Sequence, residues 1–273
     1  MTTAGRRALL GISVALLTAW VLVPLLLVAV ASLTTRSQLY TWPRSIIPHP
    51  WSLETIRFFF RTQGVLESTE RSLLVAVLTI LLSVLVGAPA GYALSRFRFA
   101  GREGFRLAIL ATKTFPATIL AVPLAVAFIS WGLYDTLLGV AFVHTALALP
   151  FTVVITTTVF IGVPYELEEA AMTLGCNRLA AFRRIALPIA LPGLAAAAIF
   201  TFVLSWNEVF AATILTVRNR TLPALVMNSV GALGSGAPLD YRFAAGFFMI
   251  IPALIIILVI RRYLLTLWGI TVR

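Results

Sequence analysis

Charge is what this sequence has least of. Only 11% of its 273 residues are Asp, Glu, Lys or Arg, against 60% that are hydrophobic. A soluble domain carries roughly 25% charged residues, so water is excluded as the solvent for most of the surface and a bilayer is indicated. Cysteine is nearly absent. Cys176 stands alone, which excludes an internal disulfide framework. Lysine is nearly absent as well: of 21 Lys and Arg residues, only Lys113 is lysine. A phosphate-binding P-loop ends in Gly-Lys-Ser or Gly-Lys-Thr. Lys113 follows Thr112, so the chain is not a P-loop ATPase. The net charge of +11 does not point to nucleic acid either. The arginines lie singly or in pairs between apolar runs rather than in one stripe.

Long apolar runs are what the sequence has instead. A hydrocarbon core about 30 Å thick needs about 20 apolar residues as helix. Six runs qualify, 9–33, 72–94, 107–131, 137–161, 191–215 and 243–263. They predict an all-α integral membrane fold of six transmembrane helices in a single domain, 1–273. The first run exceeds a signal-peptide core and lacks a small-x-small cleavage site, so it is read as a retained helix. Arg6 and Arg7, then Arg96, Arg98, Arg102 and Arg106, then Arg178, Arg183 and Arg184, then Arg261, Arg262 and Arg273 all fall on one side of six spans. The positive-inside rule makes that side, with both termini, cytoplasmic. The first outer loop also carries Arg36, Arg44, Arg57, Arg61 and Arg71, so the asymmetry is incomplete. Trp42, Trp51, Trp131 and Trp268 sit near expected interfaces, as aromatic belts do.

One cytoplasmic segment, 163–190, is too long for a turn and too polar to span. Pro164 suits a first helical turn, and Glu166, Glu168 and Glu169 suit the positive end of a helix dipole. Gly175 can end that helix in a left-handed conformation. Asn177 is a candidate N-cap for a second short helix, with Leu179, Phe182 and Ile185 spaced by three and with Pro188 and Pro192 as its stop. Such a helix–Gly–helix unit suits either a surface helix on lipid headgroups or a docking element for a soluble partner.

The wording of this segment resembles a known signature. Glu169-Ala170-Ala171, three residues, Gly175, nine residues, Ile185, one residue, then Leu187-Pro188 resembles the EAA loop of ATP-binding-cassette import permeases. Tyr92 to Phe99 with Gly101-Arg102, Trp206-Asn207-Glu208, and Trp51-Ser52-Leu53-Glu54 are similar to segments of the carbohydrate-type members, nearest to the second permease of maltose-type systems. The resemblance implies a type I importer permease whose EAA loop is a coupling helix. Glu169, Ala170, Ala171, Gly175, Leu187 and Pro188 would engage a separate ATPase, with Ile185 in the same motif and Leu179 and Phe182 filling an apolar cleft of that partner. It also implies a second related permease, two copies of the ATPase, an extracytoplasmic binding protein, and ATP and Mg bound by the ATPase rather than by this chain. Many sugar permeases of this kind have Asp where this chain has Leu174, which keeps a polyamine or an anion in view as the solute. The implied localisation is the bacterial inner membrane, and the implied function is ATP-driven passage of a sugar, oligosaccharide or polyol by alternating access rather than catalysis.

Polar residues inside spans are costly and are functional candidates by default. Lys113 precedes Phe115-Pro116 in the third run. It either lies on the solute path or is structural, satisfying carbonyls freed by Pro116 or pairing with Glu208. Asn207 and Glu208 lie within the fifth run, and His144 lies within the fourth as a core residue or a substrate contact. No metal cluster is indicated. The loop from Val217 to Tyr241 and the tail from Gly269 to Arg273 are candidate contacts for the binding protein and the ATPase. A secondary transporter would need internal repeats and several intramembrane acids. No repeat is visible, and Glu208 is the one acid deep within a run.

Overall fold

Residues 3–43, 47–232 and 237–267 are described in a computed structural model. Arg44, Trp268, the tail and the loop residues Gly234, Ser235 and Gly236 lie outside them. The chain folds as helices α1 (Thr3–Ser32), α2 (Arg36–Leu39), α3 (Glu54–Arg61), α4 (Val65–Arg96), α5 (Arg102–Ala111), α6 (Ala121–Ser130) and α7 (Leu137–Ile161). These are followed by α8 (Tyr165–Thr173), α9 (Arg178–Ala181), α10 (Leu187–Trp206), α11 (Phe210–Leu215), α12 (Leu222–Ala232) and α13 (Leu239–Leu267). No strand occurs among the described residues. Among the described residues, five helical stretches are long and apolar enough to cross a membrane: Gly5–Ser32, Val65–Arg96, Leu137–Ile161, Arg178–Trp206 and Leu239–Ile256.

The third predicted span is not one helix. The run 107–131 breaks after α5 into 3₁₀ turns at Thr112–Thr114 and Ala117–Leu120 before α6 begins. Pro116 has no N–H to donate and disfavours helix in the residue before it, and Phe115 is extended at ψ 123°. The fifth run also breaks, at Asn207, and resumes as α11. At its other end the expected stop is absent. Pro188 and Pro192 do not separate a short helix from a span, because α9 runs through Phe182–Ala186 directly into α10. A π turn makes this possible. The Leu187 N–H bonds to the Phe182 carbonyl, five residues back, and this widening immediately precedes Pro188, whose ring would crowd the preceding turn of a regular helix. Much of the predicted outer loop 217–241 is likewise helical, as α12.

Packing divides the chain into two compact units, Met1–Leu66 with Asn228–Pro252, and Glu67–Met227 with Ala253–Arg273. In the first, Phe59 is fully buried against Tyr241 and Phe248, with ring centroids 5.3 and 5.9 Å away. Arg36 pairs with the buried Asp240 at 2.9 Å. In the second, α7 packs along α10 and α4. Gly87 and Gly91 form a small-residue stripe on α4 against Thr152 and Thr156 of α7. A Cβ on Gly87 would meet Thr152 Cγ2 at 2.6 Å, so only glycine permits this approach. The Thr156 hydroxyl then donates to the Gly87 carbonyl at 2.8 Å. In lipid, such close backbone contact and interhelical hydrogen bonding replace the hydrophobic drive available in water.

Candidate functional site

The segment after α7 is built to project. α8 ends in a Schellman motif, with Gly175 at φ +93°, its N–H bonded to the Met172 carbonyl and the Cys176 N–H bonded to the Ala171 carbonyl, both at 3.0 Å. The next helix starts at once, because Asn177 Oδ1 accepts from the Ala180 N–H at 2.8 Å. The chain therefore reverses through a rigid corner in which both helix ends are satisfied. Glu169, Ala170 and Gly175 are exposed at this corner, and Leu174 is 88% exposed.

Behind the exposed corner lies a buried ion pair. Glu168 is fully buried. Its Oε1 accepts from Arg96 Nε at 2.9 Å and lies 2.8 Å from Arg96 Nη2, while its Oε2 accepts from the Tyr92 hydroxyl at 2.5 Å. Arg96 Nη2 also donates to the Val163 carbonyl at 2.8 Å, and its guanidinium lies 5.3 Å from the centre of the Tyr165 ring. Tyr92 and Arg96 are the last-turn residues of α4 on one face, four apart, so a single helix end grips α8 from beneath. With every hydrogen-bonding group of the carboxylate engaged, the desolvation cost of burying this pair is offset.

The same junction corrects the expected docking face. Phe182 does not point outward to fill a partner's cleft. Its ring packs against Tyr92 at 4.6 Å and Phe160 at 5.9 Å. Leu187 also packs inward, on the cluster of Ala88, Phe160, Val163, Ala186, Ala190 and Leu194. Ala171 is buried and Ile185 half-buried, while Pro188 remains exposed. The outward apolar groups are Leu167, Leu174 and Leu179. Glu168 and Arg96 were legible only as a helix-start acid and a loop charge.

A second polar site lies inside the membrane-spanning helices. His144 of α7 is fully buried. Its Nδ1 is 2.8 Å from Ser205 Oγ and its Nε2 is 3.0 Å from Glu208 Oε2. Glu208 also accepts from the Ala211 N–H at 2.9 Å and the Ala212 N–H at 3.2 Å, so it caps the restarted helix α11. Nε2 faces the Glu208 carboxylate and Nδ1 the Ser205 hydroxyl, so both ring nitrogens are engaged. His144 is thus a satisfied core residue. Asn207 is exposed and donates to the Val203 carbonyl at 2.8 Å, closing α10.

Lys113 joins neither partner proposed for it. Glu208 belongs to His144, and the Lys113 ammonium donates to the Leu147 carbonyl of α7 and sits 5.0 Å from the centre of the Phe151 ring. Among the described residues, no cluster of His, Cys, Asp and Glu that could hold a metal ion occurs.

A further carboxylate sits where α6 turns into α7. Asp135 adopts φ +55°, and its Oδ1 accepts from the N–H groups of Val217, Arg218 and Asn219 at 2.9, 3.0 and 3.0 Å. Burial alone would raise its pKa. The three N–H donors, with the Arg218 charge, outweigh this and hold the carboxyl below the usual carboxylate range.

Comparison with known proteins gives one consistent likeness. The permease protein NgcG of a diacetylchitobiose uptake system in Streptomyces coelicolor is 32% identical over 94% of this chain and 86% of its own length. SugB, a trehalose transport system permease of Mycobacterium tuberculosis, is 30% identical over 80% of each chain. Among solved structures, a bacterial ABC transporter involved in import of the acidic polysaccharide alginate superposes with a TM-score of 0.76 at 20% identity, covering 96% of this chain and 98% of that one. Residues 80–266 match the family described as binding-protein-dependent transport system inner membrane component. With two thirds of its length in that match, and with its apolar helices, EAA-like corner and buried anchor, the chain belongs to the family of inner membrane components of binding-protein-dependent transport systems.

Proposed function

We propose that this chain is a membrane-spanning subunit of an ATP-driven carbohydrate importer, acting by alternating access and performing no chemistry of its own. The observation that carries the reading is the projecting corner at Glu169–Gly175, anchored on α4 through Glu168 and Arg96. A protruding element fixed to a transmembrane helix transmits a push from a soluble partner into the membrane. In this reading the corner docks on a separate ATPase, present twice, which holds ATP and Mg. A second related permease completes the pathway, an extracytoplasmic binding protein delivers the solute, and both termini face the cytoplasm. The importer's outward state is favoured by ATP only if contacts at the corner differ between the two states. The carbohydrate assignment is supported by relatives named for diacetylchitobiose and trehalose transport.

Glu169→Lys tests the coupling role, because Glu169 is exposed and its replacement leaves the fold intact. In proteoliposomes holding the complete importer, the variant is expected to insert normally and to lose at least ~10-fold of ATP-dependent uptake of a labelled disaccharide, a coupling loss of about 1.4 kcal/mol or more. Uptake equal to that of the parent protein would overturn the docking role.

A further inference from the structure

The two interrupted spans meet around one cavity. It measures about 350 Å³ and is lined by Thr112, Lys113 and Leu120 from the break between α5 and α6, and by Phe210, Ala211 and Ile214 from the restart of span five at α11. The size lies within the roughly 300–1,000 Å³ of small-molecule sites. Non-helical backbone at membrane depth is tolerated where it is enclosed by protein or lines a polar cavity. Two such breaks in one chain, on either side of the same cavity, therefore indicate a place built for something other than lipid tails.

Lys113 gives the cavity its chemistry. Its ammonium is half-buried and is held by a backbone carbonyl and an aromatic face. Among the described residues, no carboxylate lies within 4.0 Å of it, although Arg36, Arg96 and His144 each have one. A carbonyl and a ring only partly compensate a cation inside a membrane protein. The rest of the wall is apolar, with Phe128 and Phe142 presenting rings. A cation at one end and aromatic faces along the side fit a solute with one anionic group and a largely C–H surface.

We propose that this cavity is a solute subsite in which Lys113 pairs with the carboxylate of an acidic saccharide while the phenylalanine rings receive the sugar's C–H face. The assignment rests on the importer reading above and names its substrate class. Ammonium–carboxylate pairing supplies the discrimination. A neutral sugar leaves Lys113 on its carbonyl and gains only the aromatic contact.

The test uses the purified, complete importer in nanodiscs, with glucuronate and glucose as probes and binding read by calorimetry. The parent protein is expected to bind glucuronate at least ~10-fold more tightly than glucose. Lys113→Met is expected to abolish that preference, and Lys113→Arg to retain it within ~3-fold. Ala146→Phe, which fills the cavity from α7, is expected to weaken both probes. Equal affinities in the parent protein, or an undiminished preference in Lys113→Met, would overturn the subsite. Nanodiscs of phosphatidylcholine and of phosphatidylglycerol separate a free solute from a lipid headgroup. Glucuronate binding is expected in both, and its loss in phosphatidylglycerol alone would assign the ammonium to lipid and overturn the proposal. ATP-dependent uptake of a neutral disaccharide is measured in parallel. Its persistence alongside a failed preference rejects the subsite alone, whereas absence of ATP-dependent uptake of both that disaccharide and glucuronate rejects the importer reading.

Discussion

Glu168 and Glu208 are both buried carboxylates held on one side by a cation-capable side chain, yet they are held differently. Glu168 sits at one end of the helices, gripped by Arg96 and Tyr92 of α4. All its partners are side chains from a distant helix. Glu208 sits where span five breaks, and two of its three partners are the backbone N–H groups three and four residues on. The first carboxylate therefore joins two elements, and the second repairs one. Arginine keeps its charge and offers a planar fork of donors, which suits a joint between two helices. A histidine and two peptide N–H groups suit a carboxylate whose task is to let a helix stop and restart inside the membrane.

The comparison is broken most severely at the joint. Arg96→Met removes the cation that pairs with a fully buried carboxylate, and stranding such a charge costs about 3–5 kcal/mol. A large fall in thermal midpoint of the purified chain is expected, with partial recovery in Arg96→Met/Glu168→Leu because the double variant leaves no orphaned charge. A double variant no more stable than the single one would show that the pair is not the joint. A smaller loss is expected from Glu208→Leu, about 2–3 kcal/mol, from the missing helix cap and an unpaired His144. Here Glu208→Gln should recover most of the loss, since an amide oxygen still accepts. Equal damage from Leu and Gln would mean that charge rather than capping is what Glu208 supplies.

How much of this was readable without coordinates depends on distance along the chain. The Gly175 turn and the Asn177 cap are local, set by residues within four positions, and both were legible. The all-helical, apolar character of the chain was legible too, because twenty apolar residues in a row have few alternatives. The breaks were not, since apolarity is the same in a whole helix and in two halves. The one local sign, a lysine and a proline within Thr112–Pro116, left a pathway role and a structural role both open and did not by itself mark the end of a helix. The Glu168–Arg96 pair spans 72 residues, so each partner looked like an ordinary helix-end or loop charge. Phe182 was misplaced for another reason. Spacing by three assigns Leu179, Phe182 and Ile185 to one face only on a regular helix, and the π turn at Phe182–Ala186 shifts that register.

Asp135 extends the comparison to a carboxylate with no side-chain cation in its hydrogen-bond set. It is held by three consecutive backbone N–H groups, and the Asn219 side chain bonds its carbonyl at 2.7 Å. Together these fix the segment after α11 onto the turn before α7. Asn tolerates the left-handed backbone nearly as well as Asp, so Asp135→Asn isolates charge from conformation. The expected loss is about 1 kcal/mol, the difference between charge-assisted and neutral hydrogen bonds. Its pH dependence has a definite sign. The folded-state carboxyl is depressed, so the unfolded chain binds its proton first as pH falls. The stabilisation is therefore complete above the ordinary Asp value of about 3.9 and fades as pH drops below it toward the folded-state value. The difference in thermal midpoint between parent and Asp135→Asn should be constant from neutral pH down to about 5 and shrink below about 4. A difference that stays constant to the acid limit would show that the three N–H groups hold the loop by geometry alone, with no contribution from the carboxylate's charge.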